Sequence, residues 1–511
     1  MKKEKSGTTN ILRVISLVLL TAMVFSVIVS CGGNTDNSNA NNNQNVDNAD
    51  VNQGEEENPQ DVRIEPNLPD VTYDGYTFTF LSHAEGSAGW DWVTADPREL
   101  VAEEETGEPI NDAVYRRNAL IEQKYGITIA MVTNTDERSV LARTVRAGDD
   151  AYDAVVIFNN NVPGVVTNDL LTEISHLTHI DLEKPWWDPG VNAMSVANKQ
   201  FLLAGDLLIL DNEATNAIIF NKDLMANLGM ELPYNLVKEG KWTMDKLLEM
   251  SKGSEMDLNG DGILNYNDDR FGFITFNDTL QALLVAGGGA FALKDANDIP
   301  YMSFAEPRNL NVLEKAMNLM YKDTNPSVFN VQSIDGSLWQ RAYYGTFEEN
   351  RALFMWIRMR VVEVFRGMEA NFGIIPMPKY DEAQPAYCSL VNPYTGVLLG
   401  VPKSASDLER TSVILEALSA ESKYTLQPAY YDIVLNRKFT RDEESSEMLD
   451  IIFGTRVYDI GGVYSFGNVF SDINGLASRE DRNIMSYYEK RIGQMESAIA
   501  KLIVNFESIG E

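Results

Sequence analysis

Ala217-Ile218-Ile219-Phe220-Asn221-Lys222-Asp223-Leu224 is the stretch on which the fold turns. Four apolar residues in a row read as the start of a strand, and residues 223–228 read as the short helix that follows it. Outward from it the pattern repeats. Upstream, 154–158 (Ala-Val-Val-Ile-Phe) is a second strand, this one apolar on both faces, and 76–80 (Tyr-Thr-Phe-Thr-Phe) alternates as a half-buried strand does. Between them, 111–125 reads as a helix with Val114, Ile121 and Tyr125 on one face and Gly126 as its stop. Residues 127–132 form a further strand and 137–146 a helix. Downstream, 407–419 is helical. Ile484, Tyr488, Ile492, Met495, Ile499, Leu502 and Phe506 recur every three or four residues along a long final helix. Together these elements make an α/β fold in two sheet-based units, with no internal repeat.

The N-terminal end has different chemistry. Lys2, Lys3, Lys5 and Arg13 precede an apolar run over 14–29, too short for a comfortable membrane span but flanked as a secretory signal is. The run stops at Val29-Ser30-Cys31-Gly32, which resembles a bacterial lipobox; a plain signal peptide or a membrane helix with an incidental Cys is the alternative. The expectation is a signal peptide over 1–30 and acylation of Cys31, several chains together holding the mature protein to the membrane. Residues 31–66 are then expected to be a disordered tether. From 32 to 61 its only aliphatic residues are Ala40, Val46, Ala49 and Val51, too few to offset the entropy of ordering.

About 450 residues remain, more than one hydrophobic core comfortably serves. The formal net charge of −33 argues against nucleic acid, whose phosphates require clustered Lys and Arg. Beyond the anchor only Cys388 is left, so no internal disulfide can form.

Four segments carry a resemblance. Residues 217–224 look like the strand-then-NKDL segment of solute-binding proteins of ABC sugar importers, the maltose-binding-protein-like family. Residues 240–252 (Gly-Lys-Trp-Thr-Met-Asp-Lys-Leu-Leu-Glu-Met-Ser-Lys) resemble that family's tryptophan-led helix, with Trp242 capping the turn, Thr243 as N-cap and Asp245 in the first turn. Residues 347–356 resemble its F--GkaAM segment, with Asn350 and Arg351 where Gly and Lys are usual. Residues 372–378 (Phe-Gly-Ile-Ile-Pro-Met-Pro) resemble the strand by which the chain crosses back between lobes.

The resemblance implies a two-lobed periplasmic-binding-protein-like fold of class II type, with hinge crossings and a C-terminal helical segment. Lobe one is expected over 67–211 plus 378–422, and lobe two over 212–377 plus 423–511. It further implies no catalysis. The expected function is capture of a carbohydrate, an oligosaccharide for preference, at the extracellular face of the membrane, followed by delivery to an importer permease. The chain is expected to act as a monomer. A surface adhesin or signalling partner could share the whole fold. A secreted glycoside hydrolase needs only two suitably spaced carboxylates, but among 75 acidic residues such pairs carry no information. His176 and His179 lack the neighbours of a zinc signature.

One loop has metal chemistry of its own. Asp257, Asn259, Asp261 and Gly262 fit the D-x-N-x-D-G start of a calcium loop, with the carbonyl of Ile263, Asn265 and Asp268 as further ligands. Asp268 stands where a bidentate Glu is usual. Structural calcium is the expected occupant and no other cofactor is; a metal-free loop held by Asx turns is the alternative.

Ligand residues are read from strand ends, where open α/β sheets bind. Trp356 and Arg358 end a strand in a segment where the resemblance places a stacking aromatic. Trp90, Asp91 and Trp92 follow the first strand, and Asn159, Asn160 and Asn161 follow the strand ending at Phe158. Tyr394 follows the return crossing. Trp339 suits either the core or the site, and Trp186 and Trp187 read as packing.

Overall fold

The computed structural model describes residues 63–84, 97–334, 338–435 and 443–509. The signal, Cys31 and all of the tether up to residue 62 lie outside the described residues, as do Trp90, Asp91 and Trp92.

Sheet one has the order β12-β3-β1-β2. Strand β1 (Tyr76–His83) runs parallel to β2 (Ile127–Asn134) and to β3 (Ala154–Phe158), all five of whose residues are buried. The helix Pro109–Tyr125 packs beneath it. Pro109 occupies the first turn, the Glu108 carboxylate accepts the Asn111 N–H, and Gly126 ends the helix in the left-handed conformation at φ 62°. The sequence pattern starts this helix two residues late because its proline and cap precede the apolar stripe.

Sheet two has the order β10-β4-β9-β5-β8. Strand β4 (Asn216–Asn221) contains the opening apolar run and is buried throughout. It is antiparallel to both its neighbours, while β5 (Phe271–Thr275) is parallel to its own two. A hairpin of β6 (Ala292–Lys294) and β7 (Pro300–Met302) precedes β8 (Val328–Asn330), β9 (Ala352–Arg358) and β10 (Phe372–Pro376). The chain then leaves this sheet through β11 (Ser389–Leu390). It adds β12 (Val397–Gly400) antiparallel to β3, and later pairs β13 (Arg456–Val457) with β11.

Local chemistry explains the resemblance segments. The Thr243 hydroxyl caps the helix Met244–Ser251 by accepting the Lys246 N–H. Trp242 does more than cap a turn. Its indole is fully buried and donates to the Pro376 carbonyl at 2.9 Å, fastening that helix to β10. Asn350 stands at φ 60°, a left-handed position that Asn tolerates where Gly is usual.

The first passage between the sheets is the short helix Leu210–Glu213, and three of its side chains are buried and ionic or polar. Asp211 meets Arg456 at 3.3 Å and accepts from the Tyr458 hydroxyl at 3.2 Å, and Arg456 also meets Asp188 at 2.9 Å. Burial pushes the Asp211 carboxyl up to about 6. Burial alone would lower Arg456, but the Asp211 and Asp188 carboxylates raise its guanidinium above the ordinary range. On the other side, Glu213 meets Arg98 at 2.6 Å and Arg360 at 2.5 Å, and Arg98 also reaches Glu363. Arg98 leads into the helix beneath sheet one, and Arg360 follows β9 of sheet two. One passage therefore holds charges from both sheets.

Candidate functional site

Three strands of sheet two end at the same cavity, because β5, β8 and β9 run parallel. Phe276, Asn277 and Asp278 follow β5, Val331 and Gln332 follow β8, and Arg358 is the last residue of β9. Trp339, then Tyr394 and Thr395 from the return passage, and Ser471 and Asn474 from the helix Val469–Ser478 complete the lining of a cavity of about 500 Å³.

One wall is aromatic. Phe276 and Trp339 meet edge to face at 6.2 Å, and Tyr394 packs on Phe470. Another part of the lining is polar and held in place by amides. The two carboxylate oxygens of Asp278 accept from Asn474 Nδ2 at 2.9 Å and from Asn392 Nδ2 at 3.2 Å. Because a carboxylate only accepts, this bond fixes the orientation of the Asn474 amide and leaves its oxygen facing elsewhere. Asn277 Nδ2 donates to the Ser478 hydroxyl. Burial holds the Arg358 guanidinium below its ordinary value, against the pull of Asp278.

Three atoms of this lining are buried without a hydrogen-bond partner among the described residues: Asn277 Oδ1, Asn474 Oδ1 and Thr395 Oγ1. Each such atom costs about 1–3 kcal/mol if left unmet, and native interiors contain few. Grouped on one cavity, the two amide oxygens can accept hydrogen bonds from an occupant and the hydroxyl can exchange one with it.

No protein-family model matches the chain, and no curated protein matches its sequence. Solved structures do. The sugar-binding protein MalE from Xanthomonas citri superposes with a TM-score of 0.55 at 15% identity, over 85% of this chain and 100% of that one. An ABC substrate-binding protein from Listeria monocytogenes in complex with cycloalternan gives 0.51 at 13% identity, over 84% and 99%. A solute-binding protein from Thermotoga lettingae bound with α-D-tagatose gives 0.51 at 14% identity, over 84% and 100%. The chain has the two-lobed fold of these ABC solute-binding proteins.

Within that fold, Arg358 and Tyr394 line the cavity, and so does Trp339. Trp356 does not. It is 1% exposed in the core, beneath the Arg358 guanidinium at 5.6 Å from its ring, because residues two apart on a strand share a face and the earlier one lies deeper. The three asparagines after β3 diverge. Asn159 is fully buried with neither amide atom partnered, Asn160 is exposed, and Asn161 donates to Glu137 at 2.9 Å. None of the three lines the cavity. Phe276, Asn277, Asp278, Thr395 and Asn474 are not marked by the sequence pattern. The strand-end rule applied to Asn159 would have found the three that follow β5; helix Val469–Ser478 offers no comparable signal.

The loop at 257–269 is ordered by its own amides. Asp257 accepts from the Gly260 and Gly262 N–H groups, Asn259 from Asp261, and Asp261 from Ile263. Closure falls to buried Asp269 rather than exposed Asp268. Its oxygens accept from the Leu258 and Asn265 N–H groups. Among the described residues no three His, Cys, Asp or Glu side chains are grouped to hold a metal. The two carboxylates at 257 and 261 retain lone pairs for a cation, with Asn259, Asn265 and the Ile263 carbonyl as neutral donors.

Proposed function

We propose that this protein is a lipid-anchored extracellular solute-binding protein that captures a carbohydrate for an ABC importer. The observation that carries the reading is one cavity lined both by Asn277, Asn474 and Thr395, each with an atom unpartnered among the described residues, and by the aromatic Phe276, Trp339 and Tyr394. Sugars match that pairing, since their hydroxyls meet buried polar atoms while their C–H faces lie on rings. Binding rather than chemistry fits the Asp278 carboxylate, whose two oxygens already accept from fixed amides. Neighbours of the same fold are described as sugar-binding, or were solved with cycloalternan or tagatose. A thermal-shift screen of neutral mono- and oligosaccharides tests the reading. Occupancy of the native state raises the melting temperature, and a panel with no positive member counts against a sugar.

Attachment through Cys31 belongs to the same proposal. Among the described residues no helix is long and apolar enough to cross a membrane. Cys31→Ser is expected to release the protein from the membrane fraction, and full retention would refute the anchor. The 257–268 loop is proposed to take calcium as a structural ion; chelation should then lower the melting temperature and calcium restore it, with no response in Asp261→Ala.

A further inference from the structure

Two turns with left-handed, non-glycine residues meet where no chain passage joins the lobes. The first belongs with sheet one. Val196 and Lys199 bridge each other, so Ala197 at φ 51° and Asn198 at φ 60° form a two-residue turn between them. A few residues on, Leu203 exchanges both backbone hydrogen bonds with Leu399 of β12. The second is the loop of the β6–β7 hairpin of lobe two, where Asp298 stands at φ 64°. Positive φ at both central positions is the ordinary geometry of a two-residue hairpin turn, and here the turn also makes contacts outside its own sheet.

For Ala197 those contacts come from the opposite lobe. The Ala197 N–H donates to the Asp298 carbonyl at 3.0 Å and the Asn198 N–H to its carboxylate at 2.9 Å. The Ser195 hydroxyl donates to the other carboxylate oxygen at 3.0 Å. Lys294, ion-paired with Asp298 at 2.6 Å, donates to the carbonyls of Asn192 and Ser195 and to the Ser195 hydroxyl. Next to this, the Lys199 ammonium donates to the Phe506 carbonyl at the end of the C-terminal helix, and Phe201 meets the Phe506 ring edge to face. The left-handed turn is what aims two successive amides at one residue of the opposite lobe.

We propose that the Ser195–Lys199 turn and the Lys294–Asp298 turn form a latch that needs no ligand to hold the two lobes in the arrangement seen here. Rotation of one lobe against the other must break this set of bonds together. The latch therefore sets the population of the open arrangement and, through it, apparent ligand affinity.

Hydrogen-exchange mass spectrometry on the full chain without ligand tests this through a second contact between the lobes. The helix Ile460–Tyr464 packs there on residues 159–166. Asp298→Ala and Lys294→Met are each expected to speed exchange about tenfold in 159–166 and in 460–464, while the strand Ile127–Asn134 inside sheet one is unchanged. Acceleration confined to 192–199 and 292–302 would overturn the proposal, because the turns would then be a local brace only. A uniform rise that includes Ile127–Asn134 would also overturn it, as general destabilisation. Should Asp298→Ala not fold, Lys294→Met decides by the same comparison.

Discussion

Two buried polar regions of this molecule are built in opposite ways. At the passage between the sheets, Asp211 and Glu213 are each met by a guanidinium, and the guanidinia by further carboxylates. In the cavity at the ends of β5, β8 and β9, amide and hydroxyl oxygens are equally buried but have no partner among the described residues. A satisfied network holds the chain in one arrangement, and an unsatisfied one stores an unmet cost that a ligand can remove. The first region is structural and the second is the ligand site of the proposed function. Changing one side chain in each separates the two directly.

The largest effect is expected at the passage. Glu213→Ala strips two arginines of their shared carboxylate. Losing one partner of a buried ion pair costs about 3–5 kcal/mol, and the partial exposure of Arg98 and Arg360 places this case at about 3 kcal/mol. Urea denaturation measures it. A loss below about 1 kcal/mol would mean that water, not Glu213, satisfies these arginines, and the contrast with the cavity would collapse.

Trp356 sharpens the comparison from the core side. It lies one layer below the cavity floor, so Trp356→Ala is expected to cost about 3–5 kcal/mol of stability through the void it leaves. Near-native stability with lost ligand binding would instead return Trp356 to the site.

A third polar group lies between the two extremes. Glu416 accepts from the indole N–H groups of Trp186 and Trp187 at 3.1 and 2.8 Å, yet burial, the dominant influence, pushes its carboxyl up from 4.5 to about 7. The native state then binds more protons than the unfolded chain between those values. Glu416 accordingly adds stability below about pH 4.5 that is lost as pH rises through about 7, on the order of 2 kcal/mol. Urea midpoints across that range should fall with rising pH, and Glu416→Gln should flatten the slope. An unchanged slope in the variant would assign it to other carboxylates.

These contrasts also show what the sequence could carry. Strands β3 and β4 were legible because a sheet covered on both faces demands unbroken apolar runs, and 154–158 and 217–220 are such runs. Helix ends were legible where Gly126 and Thr243 sit, because a cap is a local event. The cavity was legible only where a strand end is marked, as at Arg358. Its other polar residues, from Asn277 to Asn474, are gathered from places two hundred residues apart, and no spacing records that they meet. Depth along a strand was equally hidden: Trp356 and Arg358 share a face, and only packing decides which of them reaches the cavity.

The central claim is that the unpartnered atoms of the cavity await a hydroxyl-bearing ligand, and Thr395→Val tests it most directly. Valine keeps the shape of the side chain and removes an oxygen that makes no hydrogen bond among the described residues. Stability without ligand should be unchanged or slightly higher, since a buried unmet hydroxyl is lost. Calorimetric titration with a sugar found in the screen should show affinity weaker by about tenfold, or about 1.4 kcal/mol. Unchanged affinity would place the ligand outside this cavity and contradict the account.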